Sequence, residues 1–237
     1  MIPLVFVLLS VALFALGAAI GSFLNVIIYR SVHNESWMVG RSKCESCSKQ
    51  IHWYDNIPLL SYLILYGKCR FCKTPLSLSH PVIEFMTGSL FVWWFWMGSL
   101  FFRLTLHPFS VIQPIFWLLV GLSLLIIFFA DIRYMIIPDE VVVFLTVITL
   151  LYRILLTFFG LMQPIDFVWA ILGSVLVSGF FYSLWRVTKE RGMGFGDVKF
   201  AIPFGLLLGW PNVFVGTFIA FVFGAVVGLG LMAAKKK

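Results

Sequence analysis

Long apolar runs separated by short polar breaks set the architecture of this chain. Runs of about 18 or more apolar residues are long enough to cross a bilayer as helices. They recur from one end of the sequence to the other. The first covers roughly Pro3–Tyr29 and carries Gly17-Ala18-Ala19-Ile20-Gly21, a small-xxx-small face suited to close helix packing. Near its end Asn25 is a polar group that should face protein rather than lipid. Further helices are predicted at about Val82–Phe102, Val111–Ala130, Pro138–Phe159 and Phe167–Trp185. Pro138 suits the first turn of its helix. A short helix follows from Asp197 to about Leu208, stopped by Gly209-Trp210-Pro211-Asn212, and a last one from Val213 to Met232. The fold class predicted is an all-α polytopic membrane protein of about seven transmembrane helices. The Met1–Tyr29 stretch lacks a basic start, and its apolar run is about twice the length of a signal-peptide core. It reads as a retained helix.

The polar breaks supply orientation. Residues Arg30–Pro81 form the longest, with Arg30, Arg41, Lys43, Lys49, Lys68, Arg70 and Lys73 set against Glu35, Glu45 and Asp55. Excess Lys and Arg marks a cytoplasmic segment. With the N-terminus outside, seven crossings place the first loop, Arg133, the Arg186–Lys199 region and the terminal Lys235-Lys236-Lys237 all inside. Only Arg103 and Arg153 of the 17 basic residues then fall outside, Arg153 by snorkelling to the outer surface. The composition agrees: 61% hydrophobic, 11% charged, mean hydropathy +1.02. The formal net charge of +7 reflects this one-sided placement of cations, not a nucleic-acid partner. The organisation expected is a first transmembrane helix over 1–29, a cytoplasmic four-cysteine zinc-binding module over 30–81 and a transmembrane catalytic core over 82–237.

All four cysteines lie in that polar module, as Cys44-Glu45-Ser46-Cys47 and Cys69-Arg70-Phe71-Cys72. Two C-x2-C pairs match the knuckles of a tetrahedral structural zinc site. Lys43, Lys68, Arg70 and Lys73 beside them would favour thiolates. The competing reading is a dithiol redox pair, which would want a βαβ unit that the sequence does not show. Four protein ligands would close the site, so the metal is expected to be structural.

Two carboxylates stand at the ends of apolar runs, Asp131 in Ala130-Asp131-Ile132-Arg133 and Asp197 in Gly194-Phe195-Gly196-Asp197-Val198-Lys199. An ionisable group at a membrane edge is a functional-site hypothesis by default. The predicted topology puts both on the cytoplasmic face. Two close carboxylates cannot both ionise cheaply, so one keeps a proton. The ionised one can then take a proton from water while the other polarises a scissile carbonyl. Singly, Asp197 could be a helix cap and Asp131 an ion-pair partner for Arg133. Asp139 competes with Asp131 but, following Pro138 at a helix start, is more simply a dipole partner. His33, His52, His80 and His107 are scattered through loops and read as surface or packing residues. Gly194 and Gly196 remove bulk beside Asp197. With Lys199 they are the candidate substrate-binding residues. Turn formation is the competing role for the glycines.

Taken together in this order, the motifs resemble the type IV prepilin leader peptidases, membrane aspartic proteases of the GxGD type. The likeness covers nearly the whole chain. It runs from Gly21-Ser22-Phe23-Leu24-Asn25-Val26-Ile27-Ile28-Tyr29-Arg30, through the cysteine pairs flanking Trp53-Tyr54-Asp55-Asn56-Ile57-Pro58-Leu59-Leu60-Ser61, to His80-Pro81 through Glu84. Asp131 with Ile137-Pro138-Asp139 is similar to the family's first catalytic motif, and the Gly194–Lys199 stretch to its second. The resemblance implies a multi-pass protein of the bacterial inner membrane. It implies cleavage of a basic leader from prepilins or pseudopilins at the cytoplasmic face, with membrane lipid as the other partner. It also implies methylation of the new N-terminus with S-adenosylmethionine, for which no glycine-rich nucleotide motif is visible. The sequence departs from the family at two places. Arg133 stands where many long members carry an acidic residue, and many members continue past the seventh helix with a further turn and apolar segment, where this sequence stops at Lys237. Two other readings compete: a transporter with paired carboxylates, disfavoured by their edge position and the lack of a repeat, and a zinc-anchored assembly factor without chemistry.

Overall fold

The structure is a computed structural model that describes residues 2–33, 35–36, 40–101, 108–189 and 192–235. Arg103, His107, Arg191, Lys236 and Lys237 lie outside the described residues. Among those described, the chain is helical with no strand ladder, apart from two isolated antiparallel bridges. Residues 1–141 form one compact unit and residues 142–237 another.

In the first unit, α1 (Ile2–Val32), α3 (Ser79–Phe101) and α4 (Pro108–Tyr134) pack against one another, and the segment between α1 and α3 forms a small cysteine-bearing module that contains the short α2 (Leu60–Ile64). The small-residue face of α1 does what its spacing predicts. A Cβ at Gly17 would meet the Gly88 Cα at 2.9 Å, and one at Gly21 would meet the Glu84 Cα at 2.8 Å. Backbone therefore lies against backbone, the close approach that replaces the missing hydrophobic drive between helices in lipid. Asn25, one turn beyond Gly21, is buried and donates from Nδ2 to the Gly21 carbonyl at 3.2 Å and to the His80 carbonyl at 3.3 Å. It faces protein, as its place near the end of an apolar helix required. Trp94 Nε1 donates to the Pro114 carbonyl at 2.6 Å and links α3 to α4.

In the second unit, α5 (Asp139–Phe158) starts at the boundary and is followed by α6 (Pro164–Val187), α7 (Phe195–Leu208) and α8 (Asn212–Lys235). Small residues again set the closest crossing. Ala170, Gly173, Ser174 and Val177 are the buried face of α6. A Cβ on Gly205 of α7 would fall 2.4 Å from the Ser174 Cα. Ser174 Oγ donates to the Ile202 carbonyl at 2.8 Å. This crossing fixes α7, and with it the segment that carries Asp197.

Each predicted membrane helix has a counterpart, and among the described residues five of them, α1, α4, α5, α6 and α8, are long and apolar enough to cross a membrane by length and composition. α3 has the length, yet it interleaves Ser, Thr, His and Glu with three tryptophans. α7 has 14 residues, which at 1.5 Å per residue reach about 21 Å, short of the ~30 Å hydrocarbon core. Arg153 departs from the predicted snorkelling role. Its guanidinium turns to the C-terminal end of α7, donating from Nε to the Leu206 carbonyl and from Nη2 to the Leu207 carbonyl at 3.2 Å. Those carbonyls have no partner further along the helix. Gly209, at φ +67°, ends α7 in a conformation that favours glycine, and a Cβ there would strike Arg153 Nη2.

Candidate active site and metal-binding module

The four cysteines, predicted from spacing alone to form one site, converge. One sulfur from each of Cys44, Cys47, Cys69 and Cys72 lies within 4.8 Å of the others. Cys44 and Cys72 are 3.8 Å apart, and none is in a disulfide. Metal–sulfur bonds of about 2.3 Å in a tetrahedron require sulfurs about 3.8 Å apart, so the donor set fits a metal ion of that class. Two matching turns bring the thiols together. The Cys44 amide donates to the Lys49 carbonyl and the Cys69 amide to the Thr74 carbonyl, both at 2.9 Å. Bridges Lys43–Gln50 and Lys68–Pro75 close each turn, and Ser48 and Lys73, each just past the second cysteine, take positive φ. Hydrogen bonding with Thr74, then with Cys69 and Cys47, lowers the Cys72 thiol to about 6. Cys72 is therefore prepared to bind metal as thiolate.

A second anchor holds the module. Arg70 donates to Asp55 from Nε at 2.8 Å and Nη2 at 2.6 Å, a bidentate pair. These hydrogen bonds hold the Asp55 carboxyl below its usual range. Glu84, buried on α3, accepts from the Leu59 amide at 2.8 Å, where Leu59 has the unusual φ of +59°. Sequence reasoning gave Glu84 no role. Its signal was an ionisable residue inside an apolar helix.

Asp131 lies exposed in the last turn of α4. Its carbonyl accepts from the Met135 amide at 2.8 Å, and Met135 takes φ +53°. That left-handed residue ends the helix, so the carboxylate sits at a helix terminus beside a turn. Two residues on, Arg133 donates from Nη2 to both oxygens of Glu45, at 3.0 and 3.1 Å. Glu45 lies between the first two cysteines, and His80 Nε2 stands 3.7 Å from the same carboxylate. The four-cysteine module is thus tied to the Asp131 segment by a charge pair. Reversing either charge should separate the two. Glu45→Arg or Arg133→Glu alone is expected to lower any turnover that depends on Asp131, and Glu45→Arg with Arg133→Glu to restore much of it. A double variant no better than the worse single one, assayed beside the wild type, contradicts a positioning role for the pair.

Asp197 is exposed in the first turn of α7, where its negative charge meets the positive end of the helix. Its amide donates to the Gly194 carbonyl at 3.2 Å. A Cβ on Gly194 would sit 3.7 Å from Asp197 Oδ2 and 3.9 Å from the Gly196 amide, in ordinary contact. Gly194 has φ −74°, and Gly196 is helical. Neither needs the freedom of glycine to shape its backbone. Lys199 Nζ lies 5.3 Å from the Phe195 ring centroid, and Trp185 of α6 packs on that ring at 5.0 Å. Asp139 and Glu140 occupy the first turn of α5, the dipole-partner position predicted for Asp139. Of the histidines, His33 stacks on Tyr29 and His52 on Tyr54, in keeping with packing roles.

Residues 15–98 match the Bacterial Peptidase A24 N-terminal domain, and residues 117–229 match the Type IV leader peptidase family. A prepilin leader peptidase/N-methyltransferase of Myxococcus xanthus is 34% identical over 96% of this chain and 64% of its own length. The protein of the same description from Aeromonas hydrophila is 30% identical over 92% of this chain and 80% of its own, and that from Legionella pneumophila 31% over 94% and 81%. This chain therefore spans a little under two thirds of the Myxococcus protein and about four fifths of the other two. No solved structure matches it significantly.

Proposed function

The chain belongs to the type IV leader peptidase family, and from that premise we propose that it is a membrane aspartic endopeptidase that removes the basic leader from prepilins or pseudopilins and methylates the new N-terminus. The observation that carries the reading is the ordered set of motifs: two cysteine pairs that converge on one metal site, then a carboxylate at the end of α4, then the glycine-flanked carboxylate that opens α7. The working pair is Asp131 and Asp197. One carboxyl holds a proton and polarises the scissile carbonyl while the other takes a proton from the attacking water. The metal is zinc, held by Cys44, Cys47, Cys69 and Cys72. Four protein ligands close its sphere, so it supplies folding energy rather than chemistry.

The protein lies in the bacterial inner membrane with seven crossings, the 14-residue α7 making its own where the bilayer thins to its length, its N-terminus outside and its active site toward the cytoplasm. Its parts are the first helix (1–29), the four-cysteine module (30–81) and the catalytic core (82–237). Gly194, Gly196 and Lys199 border the substrate. Because the backbone does not require glycine at 196, Gly196→Ala separates the two roles weighed for this residue. In a helix, alanine should be neutral or stabilising by up to about 1 kcal/mol, so thermal stability should hold while turnover falls sharply. A destabilised variant with normal specific activity would remove Gly196 from the substrate path. Incubating the purified protein with a prepilin and weighing the product tests the function as a whole.

A further inference from the structure

The short α2 carries its polarity inside out. Leu60, Leu63 and Ile64 share one face by their i, i+3, i+4 spacing and are exposed, Leu63 to 68% and Ile64 to 69%. Ser61 is buried beneath them, donating from Oγ to the Tyr54 carbonyl at 2.8 Å and accepting from the Ile57 amide at 3.1 Å. Trp53, in the 3-10 turn Trp53–Asn56 against which α2 packs, is 77% exposed, and Tyr66 just past α2 is 88% exposed. A contiguous exposed apolar face of this kind marks an interaction surface. The depth of α2 says what it meets. The apolar span of α1, Leu4–Val32, has 29 residues, which at 1.5 Å per residue reach about 43 Å. Counted from Leu4, the ~30 Å hydrocarbon core ends near Leu24, so Gly21 lies within it. Gly21 faces the Glu84 backbone, and the Glu84 carboxylate holds the Leu59 amide, at the start of α2, at 2.8 Å. Around Glu84, α3 exposes Val82, Phe85 and Met86, apolar groups suited to hydrocarbon at that level. α2 therefore starts at the boundary between acyl chains and headgroups.

We propose that α2 and the turn before it form an interfacial anchor that lays the cysteine module on an anionic phospholipid surface, an inference that rests on the membrane reading above. Leu60, Leu63 and Ile64 enter the acyl boundary, and Trp53 and Tyr66 take the headgroup level, where amphipathic rings belong. The charges complement such a surface. The Arg30–Pro81 segment carries seven basic residues against three acidic ones. Of the acidic ones, Asp55 is engaged by Arg70 and Glu45 by Arg133. Lys43, Lys68 and Lys73 are exposed and enter no ion pair among the described residues. Lys68 stands two residues past Tyr66. Headgroup phosphates supply the anions these lysines lack. A second copy of the chain would suit the apolar face but set like charges against one another. The anchor also fixes a height. Glu45 of the module bonds Arg133, two residues from Asp131, so the level of α2 sets the level of the Asp131 turn over the bilayer.

The test uses the full chain in lipid nanodiscs that contain a phospholipid with an aryl diazirine near the glycerol end of its acyl chain, and labelled peptides are mapped by mass spectrometry. In the wild type, residues 53–66 should be labelled along with α1 and α8. Leu63→Glu with Ile64→Glu should cut the label on 53–66 by about tenfold or more, because carboxylates leave the acyl boundary for water, while label on α1 holds. Leu63→Trp should keep the label. Both side chains are exposed, so the unfolding temperature should hold in every variant. At low salt the label should be about fivefold stronger in phosphatidylglycerol discs than in phosphatidylcholine discs, what one engaged lysine contributes, and the gap should close at high salt. A wild type labelled on α1 and α8 but not on 53–66 would overturn the anchor, and so would equal label on the wild type and on Leu63→Glu with Ile64→Glu. Cross-links joining residues 60–64 of two copies would assign the face to self-association instead. Equal label in the two bilayers would overturn the anionic partner. No label on any helix would overturn the membrane reading itself, and none of these outcomes depends on cleavage.

Discussion

Replacing either Asp131 or Asp197 by asparagine is expected to lower leader cleavage by about 10³-fold or more while the protein still inserts and folds. Acid–base catalysis by a positioned side chain contributes about 10²–10⁴-fold, and a shared-proton pair loses both of its roles when one member cannot ionise. Asparagine preserves size, and both carboxylates are exposed, so the substitutions leave no buried cavity. Because the two would act as one unit, Asp131→Asn combined with Asp197→Asn should be little worse than either alone. Initial rates on a prepilin, normalised to folded protein, check this. Near-normal turnover in Asp131→Asn would move the first role to Asp139, which opens α5 a few residues on.

Cys44→Ser or Cys69→Ser is expected to release the metal and unfold residues 30–81. The module's described residues offer little core of their own to fall back on. Among its described residues, Trp53, Tyr54, Leu63, Ile64 and Tyr66 are exposed, and its two cysteine turns are each closed by a single bridge. In such modules metal-binding energy is folding energy, about 10–16 kcal/mol for structural zinc in small peptides, so losing one ligand removes most of what orders the loop. Elemental analysis should find about one zinc per wild-type chain and far less in the variants, and limited proteolysis should cut within 42–78 only in the variants. Protein purified without chelators that contains no zinc would reject the metal site. A variant that loses zinc yet resists protease would show that the Asp55–Arg70 and Glu84–Leu59 bonds suffice to hold the module.

Much of this was legible in the sequence because it is written in local pattern. The apolar runs mark helices to within a few residues, since lipid-facing surfaces leave little room for ambiguity. C-x2-C spacing carries its own turn geometry, and the Gly17–Gly21 face needs only helical periodicity. What the sequence hid are partners far apart along the chain. Nothing local to Glu45 points to Arg133, and nothing local to Arg153 points to the carbonyls of Leu206 and Leu207. α2 went unread because five residues in a polar loop make no periodic signal, and its start depends on Leu59 held at positive φ by Glu84. For Gly194 and Gly196 the sequence left two roles open, and the backbone bears on the choice: neither residue has positive φ.

Cleavage by the aspartate pair is tested most directly by weighing the substrate. Purified protein is incubated with a full-length prepilin, and the intact mass of the product is measured beside the same reaction with Asp197→Asn. The wild type should remove the leader as one fragment at a single bond just before the substrate's apolar helix, and Asp197→Asn should leave the substrate at full mass. A substrate left intact by the folded wild type, or cut at the same bond and rate by Asp197→Asn, would contradict this chemistry.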